Sequence, residues 1–437
     1  MSKEENRKNF SKYVSQNILG MIGFSCYVLA DSYFISIAKG ADGLTALNLV
    51  MPLYSIIFSI GEMIGVGSAI RYAISKIKKD ADADDYFWNA LIWCIMSSMI
   101  FVFAGIFFSA DIMRVLGADE HIVAVGNNYT KIFMCFAPMF MCNYVTNAFV
   151  RNDGAPGIAM SATLFSSLFN IVFDYILMFP MNLGMEGAAL ATALSPIIGM
   201  GICSIHFFSK KSSVRLVVCK PSVRKLVAGC QLGISAFVGE MSSAVITLAF
   251  NFVILKLAGN VGVAAYGVVA NIAIVTTAVF NGVAQGSQPL ISSCFGRGDK
   301  DGCTQLKRMG YTTAFVLAAV MYSILFIFAG QFVAVFNSEG SEMLRLYATE
   351  GVKLYFIGIF FAGINIVGGG AFSATEDAFK AAVVSVARGF VLIRGFVLIL
   401  GAVFVMSALF GMTGVWLAYA VAEGITTFIM LVMVLRV

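Results

Sequence analysis

The chain alternates between long apolar segments and short polar loops. A helix that crosses a bilayer needs about 20 consecutive apolar residues, and twelve segments of the sequence are long and apolar enough. The pattern therefore predicts an all-α integral membrane protein with twelve transmembrane helices. Their expected positions are 14–38, 46–72, 87–109, 124–150, 158–180, 186–208, 229–257, 262–290, 309–331, 345–372, 381–404 and 410–435.

An internal repeat arranges these helices in two halves. Three pairs of segments match in the same order and at nearly constant spacing. They are 184–193 with 411–420 (GMEGAALATA and GMTGVWLAYA), 147–157 with 370–380 (NAFVRNDGAPG and GAFSATEDAFK), and 40–48 with 259–267 (GADGLTALN and GNVGVAAYG). The spacing covers six spans, and an even number of spans preserves the orientation of each helix. We therefore expect two parallel six-helix lobes related by a pseudo-two-fold axis along the membrane normal.

The repeat also sets the expected domain organisation. Residues 1–13 form an amino-terminal tail, 14–208 the amino lobe, 209–228 a basic connector and 229–437 the carboxy lobe. The loops between the spans are too short to hold a separate soluble domain. We therefore expect the architecture of a two-lobed secondary transporter, with no enzymatic activity.

Composition and charge placement agree with a membrane protein. Hydrophobic residues make up 59% of the chain and charged residues 12%, whereas a soluble domain carries about 25% charged residues. Lys and Arg gather before span 1 and after the even-numbered spans, which places both termini in the cytoplasm. The charged start, MSKEENRKNFSKY, shows no signal-peptide pattern. We expect a multi-pass protein of a prokaryotic inner membrane, monomeric, in contact with lipid and without a nucleic-acid partner.

Acidic side chains inside apolar segments are the strongest functional signal. Asp31 lies in the middle of the first apolar run, where a carboxylate costs roughly 2.5–3.5 kcal/mol on insertion scales. Asp174, Glu62 and Glu240 lie in similar runs, and Asn170 shares a helix face with Asp174 because the two are four residues apart. Such residues indicate a cation site, a proton relay or a counter-charge for a substrate.

Over nearly its whole length the chain resembles the multidrug and toxic compound extrusion (MATE) family. The motifs that carry the resemblance are VLADSYFISIAKG in span 1, FNIVFDYILMF in span 5, GMEGAALATALS in span 6, GISAFVGEMSSA in span 7 and AQGSQPLISSCFGRGD at the end of span 8. The resemblance implies antiport, in which entry of Na⁺ or H⁺ drives export of amphipathic, often cationic, organic compounds. It also implies an outward-open and an inward-open state, and no cofactor apart from the coupling ion.

Carried over residue by residue, the resemblance assigns an amino-lobe cation site to Asp31, Asn170, Asp174 and Thr192. Glu240 matches a carboxylate of the carboxy lobe. Some members carry a second carboxylate in span 10, where this chain has Asn365. Two carboxylates, an amide and a hydroxyl provide oxygen ligands that suit Na⁺, and two neighbouring carboxylates suit H⁺ carriage equally well. Both coupling ions therefore stay open.

A substrate cavity would use Met and aromatic side chains, because they adapt to varied shapes and attract organic cations. The candidates are Tyr54, Met63, Met139, Phe250 and Phe280. Three charged residues keep open roles, and these are Glu62, Arg388 and Arg394. The two arginines either counter Glu240 or Glu423, or snorkel toward the cytoplasmic side.

Two other transport functions stay open: a flippase for lipid-linked oligosaccharides, and an exporter of metabolites other than drugs. A flippase handles an anionic pyrophosphate and should line its cavity with Arg and Lys, whereas the deep charges of spans 1–7 are acidic. An enzyme or receptor finds little support, because the sequence contains no HExxH motif and no Walker A motif. The loop ISKIKKDADADDY lacks the signature of the major facilitator family.

Overall fold

The computed structural model describes residues 3–336, 341–377, 383 and 398–435, and within these ranges the chain is helical and contains no strand. A 3₁₀ turn, Phe356–Gly358, joins two of the helices. The helices are α1 Lys3–Lys78, α2 Asp85–Val115, α3 Glu120–Cys135, α4 Ala137–Asn152, α5 Pro156–Met178, α6 Gly184–Phe207, α7 Val223–Gly296, α8 Lys300–Ile327, α9 Ala329–Phe336, α10 Glu342–Tyr355, α11 Ile359–Ala374 and α12 Leu398–Leu435.

The three longest helices are each broken at a glycine with left-handed backbone. The φ angles are 58° at Gly40 in α1, 62° at Gly259 in α7 and 59° at Gly411 in α12. Glycine adopts this conformation without the steric cost that a Cβ atom adds. Each break therefore divides one helix into a first and a second arm, and each arm is long enough for its own membrane crossing where the structure describes it fully.

The predicted spans are found along these arms and helices. In the described residues, nine helices or arms are long and apolar enough to cross a membrane, and α3 with α4, bent by 46°, makes a tenth. The predicted span 229–257 lies within the first arm of α7. Most of the predicted span 381–404 lies outside the described residues.

The repeat seen in the sequence recurs in the backbone. Left-handed residues occur in pairs at nearly the spacing of the matched segments. The pairs are Gly40 with Gly259, Lys79 with Gly298, Gly154 with Glu376, and Gly184 with Gly411. Because a non-glycine residue rarely adopts a positive φ, the positions of Lys79 and Glu376 indicate that the same turns are built in both halves.

Each lobe has its own apolar core. Phe133 and Phe149 are among the fully buried side chains of the amino-lobe core, and Trp416 and Phe356 among those of the carboxy-lobe core. The outer surface is also apolar, with large exposed side chains such as Phe107 of α2. An apolar exterior of this kind fits contact with lipid, where the hydrophobic effect does not require such side chains to be buried.

The amino-terminal segment differs from the predicted tail. Helix α1 begins at Lys3, so residues 3–13 extend the first span as a helix. Asn6 and Phe10 are buried, and Asn6 Nδ2 donates to Gln305 Oε1 of α8 at 3.2 Å. The charged residues of this segment lie on the exposed side of a helix that packs on the carboxy lobe. The charge pattern alone does not predict this packing.

The connector is anchored to the amino lobe at two points. Asp153 accepts hydrogen bonds from His206 Nε2 at 2.8 Å and from the Ser213 backbone N–H at 2.9 Å. Further along, Trp88 Nε1 donates to the Cys219 carbonyl at 2.9 Å. Between the anchors, Leu216 and its neighbours are exposed. The connector is therefore held against one lobe along most of its length.

An ion pair fixes the start of α7 beside the loop that follows α1. Lys225 Nζ lies 3.0 Å from Asp82 Oδ2 and also binds Asp85. The hydrogen bond from Lys225 holds the pKa of Asp82 below its usual range. We call the side of the molecule that carries this loop and the connector the amino-terminal face, and the side that carries Gly40 and Gly259 the far face.

The two lobes meet through glycines on the half of the molecule near the amino-terminal face. Gly286 of α7 packs on Val14 of α1, and a Cβ atom there would lie 2.7 Å from Val14 Cα. Gly67 of α1 lies directly against the Gly229 carbonyl. Small residues allow helix backbones to approach closely in a membrane, so these positions determine how tightly the lobes join.

Replacing Gly286 with Ala should separate the lobes at this contact. The added Cβ atom meets backbone rather than a flexible side chain, so overpacking should lower the free energy of unfolding by about 1–3 kcal/mol. The measurement is thermal unfolding of the purified protein in detergent. Gly267→Ala, in the same arm of α7 and with nothing within 4 Å of the new Cβ, is the matched control and should not be destabilised. Equal behaviour of the two variants would contradict this account of the interface.

Candidate cation and substrate site

The four residues assigned to a cation site come from three helices of the amino lobe. Asp31 lies on the first arm of α1, Asn170 and Asp174 on α5, and Thr192 on α6. All four side chains are buried, and Asp174 is 0% exposed. Each lies in the half of its helix nearer the far face, away from the glycine contacts between the lobes.

Asn170 joins the α5 and α6 parts of this group. With its amide oxygen toward Thr192 and its amide nitrogen toward Asp174, Asn170 Nδ2 donates to Asp174 Oδ2 at 3.0 Å, and its oxygen accepts from Thr192 Oγ1 at 3.1 Å. The spacing of four residues between Asn170 and Asp174 places them on one helix face, which makes the first contact possible. The amide, the hydroxyl and one carboxylate oxygen therefore form a connected buried row.

The two carboxyl groups of this site interact with each other. Asp31 lies close enough to Asp174 for their charges to interact. Asp31 Oδ1 and Asp174 Oδ1 are both buried and have no hydrogen-bond donor in the described part of the chain. A buried acceptor without a partner is unfavourable, and the cost is larger for a charged group in a low-dielectric interior. A proton or a hard cation bound between the two groups would remove that cost.

Three tyrosines complete the surroundings of the acidic pair. Tyr27, Tyr54 and Tyr129 all interact electrostatically with Asp31 and Asp174. The hydroxyls of Tyr54 and Tyr129 hydrogen-bond each other, and the Tyr54 ring stacks on Phe133 with 3.6 Å between ring centroids. Of the three, only Tyr54 was predicted from the sequence. Tyr27 lies one helical turn before Asp31, a spacing that would have identified it.

Glu62 and Glu240 interact electrostatically with each other, and Glu240 also interacts with Tyr27 of this group. Glu62 accepts a hydrogen bond from Gln285 Nε2 at 3.3 Å. Lys256, considered as a partner for Glu240, lies with its ammonium group 4.1 Å from the centroid of the Phe252 ring. The alternative partners, Arg388 and Arg394, lie outside the described residues.

The five cavity candidates separate into different environments. Tyr54 adjoins the acidic pair, Met63 packs at the lobe boundary against Gly233, and Met139 is 37% exposed. Phe250 and Phe280 are 0% and 1% exposed. Both belong to the carboxy-lobe core, where Phe250 stacks on Tyr266 and Phe280 fills the space beside Gly363. The rings of both residues are enclosed by protein in this structure, so their place in a substrate cavity stays a prediction.

The carboxy lobe contains a buried group of polar side chains whose contact was not predicted from the sequence. Asn365 Nδ2 of α11 donates to Glu423 Oε2 of α12 at 2.6 Å, and Thr427 Oγ1 donates to Asn365 Oδ1 at 3.0 Å. An amide, a carboxylate and a hydroxyl thus meet here, as they do in the amino lobe. The carboxylate of this lobe is Glu423 of α12. The carboxy lobe therefore has a buried acid although span 10 has none.

The chain is similar to known proteins over most of its length. The MatE family model matches residues 17–176 and 236–398. The multidrug export protein MepA of Staphylococcus aureus strain MRSA252 is 27% identical over 388 residues, covering 86% of this chain and 83% of that protein.

Solved structures show the same fold. An outward-facing multidrug resistance MATE family transporter of the MOP superfamily gives a TM-score of 0.87 at 20% identity, over 99% of this chain and 96% of that one. A MOP superfamily transporter from Pyrococcus furiosus, described as having a binding pocket of reverse polarity, gives 0.89 at 19% identity, over 98% and 95%.

These structural matches confirm the predicted fold of twelve transmembrane helices in two lobes. The family model accounts for most of the sequence on both sides of the connector. The chain therefore belongs to the MatE family, the multidrug and toxic compound extrusion transporters that its sequence motifs resemble.

Proposed function

We propose that this protein exports small amphipathic, often cationic, organic compounds in exchange for Na⁺ or H⁺. The relatives that it resembles over most of its length are named as multidrug export proteins. The observation that carries the proposal is the pair Asp31 and Asp174, each of which has a buried carboxylate oxygen without a donor in the described residues. Such a pair binds a small cation or a proton and is unfavourable without one.

Coupling follows from charge neutralisation at this pair. With both groups ionised, the two carboxylates repel each other and attract a cationic compound toward the amino lobe. Binding of Na⁺ or H⁺ removes that attraction and favours release of the compound. One charge crossing 100 mV supplies about 2.3 kcal/mol, and a hundredfold concentration gradient requires about 2.7 kcal/mol. For a neutral compound, one coupling ion assisted by its own gradient is therefore sufficient. For a cationic compound, entry of the ion partly cancels the charge that moves outward, so the concentration gradient of the ion must supply more of the free energy.

The two lobes would move as bodies to expose this site alternately to each side. We propose that the amino-terminal face lies in the cytoplasm, because it carries the basic connector and the charged amino-terminal segment, and basic loops are enriched on the cytoplasmic side. Both termini would then lie on the cytoplasmic side of the inner membrane. The lobes are joined near that face, while the acidic pair lies in the opposite half. This arrangement is the one expected when the cytoplasmic side is closed.

The polarity of the site favours cationic over anionic cargo. The charged side chains of the candidate site are Asp31 and Asp174, and the surrounding hydroxyls come from tyrosines and Thr192. A lipid-linked pyrophosphate would meet two carboxylates there. Export of a cationic drug or metabolite is therefore the better match.

Removing either carboxylate charge should abolish coupled transport. Asp31→Asn and Asp174→Asn keep the side-chain shape and remove the ionisable group, so ethidium efflux from vesicles should fall at least about tenfold, as expected when a charge-assisted contact of about 1.4 kcal/mol or more is lost. Asp111→Asn is the matched control, because Asp111 is exposed and paired with Arg114 at 2.8 Å. Wild-type efflux by both site variants, with normal folding, would refute the proposal.

Replacing Thr192 with Val should distinguish the two coupling ions. The variant keeps the shape of the side chain and removes an oxygen ligand beside Asn170. If Na⁺ is the ion, Na⁺-driven efflux should need about tenfold more Na⁺. If H⁺ is the ion, efflux driven by an imposed pH gradient should be nearly unchanged, because protons bind to the carboxylates. The measurement is efflux from vesicles with either gradient imposed alone. Efflux that responds to neither gradient in the wild type would contradict cation coupling.

A further inference from the structure

One side chain of the carboxy lobe reaches between two opposite charges of the amino lobe. Gln285, on the second arm of α7, accepts a hydrogen bond from Arg151 Nη1 through Oε1 at 2.6 Å. The same amide donates from Nε2 to Glu62 Oε1 at 3.3 Å. The amide therefore separates a guanidinium from a carboxylate, with its oxygen toward the cation and its nitrogen toward the anion.

The charges on both sides of this amide are held within the protein. Arg151, in the last turn of α4, is 4% exposed, although its sequence position suggested a loop charge. Its Nη1 also lies 3.5 Å from Asn17 Oδ1, whereas its Nε has no acceptor in the described residues. Glu62 is the carboxylate whose charge acts on it. A buried guanidinium with so few acceptors depends on that carboxylate in any arrangement of the lobes.

Arg151 and Glu62 stay together because their helices are packed tightly. Gly61 and Gly65 flank Glu62 by one and three residues, and both face α4. A Cβ atom would lie 2.9 Å from Met141 Cα at Gly61, and 2.9 Å from Val145 N at Gly65. The glycine-rich segment GEMIG thus fixes the second arm of α1 on α4, and the pair of charges moves with the amino lobe.

We infer that Gln285, Arg151 and Glu62 form a partner-exchange gate between the lobes. When the lobes part near the amino-terminal face, Gln285 leaves with the carboxy lobe, and Arg151 and Glu62 then pair directly. This inference rests on the proposed rocking of the two lobes. The side chain that Arg151 and Glu62 lose when the lobes part is a neutral amide, so each of the two charges keeps the other as its partner.

A second set of cross-lobe contacts shows why the exchange is needed at this depth. Arg71 binds Glu376 of the carboxy lobe, and Lys78 Nζ lies 3.6 Å from Glu376 Oε2. These side chains are 22% to 46% exposed, so water can solvate them when the lobes separate. Arg151 is enclosed and requires a partner from within its own lobe.

The test measures the distance between the lobes with spin labels at positions 79 and 300, which are exposed on the amino-terminal face of each lobe. Gln285→Leu removes the contact that joins the lobes and leaves the ion pair able to form, so the open fraction should rise about tenfold, within the usual range of coupling between two states. Glu62→Gln removes the anion that Arg151 needs in the open state, so the open fraction should fall about tenfold. The two substitutions, at residues that contact each other, are thus expected to change the open fraction in opposite directions.

Glu376→Gln is the control for loss of an ordinary cross-lobe ion pair, and it should raise the open fraction by less than about fivefold. If Gln285→Leu yields no folded protein, Gln285→Asn shortens the stem by one carbon and should also raise the open fraction. Shifts of Gln285→Leu and Glu62→Gln in the same direction, or no shift, would overturn the exchange. A wild-type protein with a single distance under all ion and ethidium conditions would instead refute the rocking on which it rests.

Discussion

A carboxyl group buried in a membrane protein must always have a donor, a cation or a proton beside it, and this requirement organises the amino lobe. Asp174 receives one hydrogen bond from Asn170, and Asn170 is fixed in turn by Thr192 on the next helix. Asp31 adds a second acid from a third helix. One carboxylate oxygen of each acid has no hydrogen-bond donor in the described residues. A structural ion pair would have met this requirement permanently, whereas the proposed cation site would meet it only with a small cation or a proton bound.

The same requirement operates at the boundary between the lobes, with a different solution. There the buried charges have opposite sign, and a neutral amide lies between them. Glycine contacts at Gly61 and Gly65 hold the helices that carry the charges, while those at Gly67 and Gly286 join the two lobes. Backbone proximity in this protein therefore serves two purposes: rigidity within a lobe and a close but separable fit between lobes.

Much of the fold could be predicted from the sequence because its signals are local. Apolar runs of membrane length gave the spans, and the matched segments contain Gly40, Gly259, Gly184 and Gly411, whose left-handed backbone recurs in both halves. The contact of Asn170 with Asp174 followed from helical periodicity. Tyr129 and the pairing of Asn365 with Glu423 depend on how separate helices pack, which periodicity does not determine. For Phe250 and Phe280 the sequence does not distinguish a cleft from a core, because an aromatic residue in an apolar run has the same pattern in either place.

The connector's two anchors have a consequence for the covalent link between the halves. Asp153 holds the connector near Ser213, Trp88 holds it again at Cys219, and the stretch around Leu216 between them is exposed. A chain nicked in that stretch would keep each new end attached to the amino lobe by its own hydrogen bonds. The two polypeptides would remain associated through their helices, so continuity of the main chain is dispensable for holding the folded halves in register.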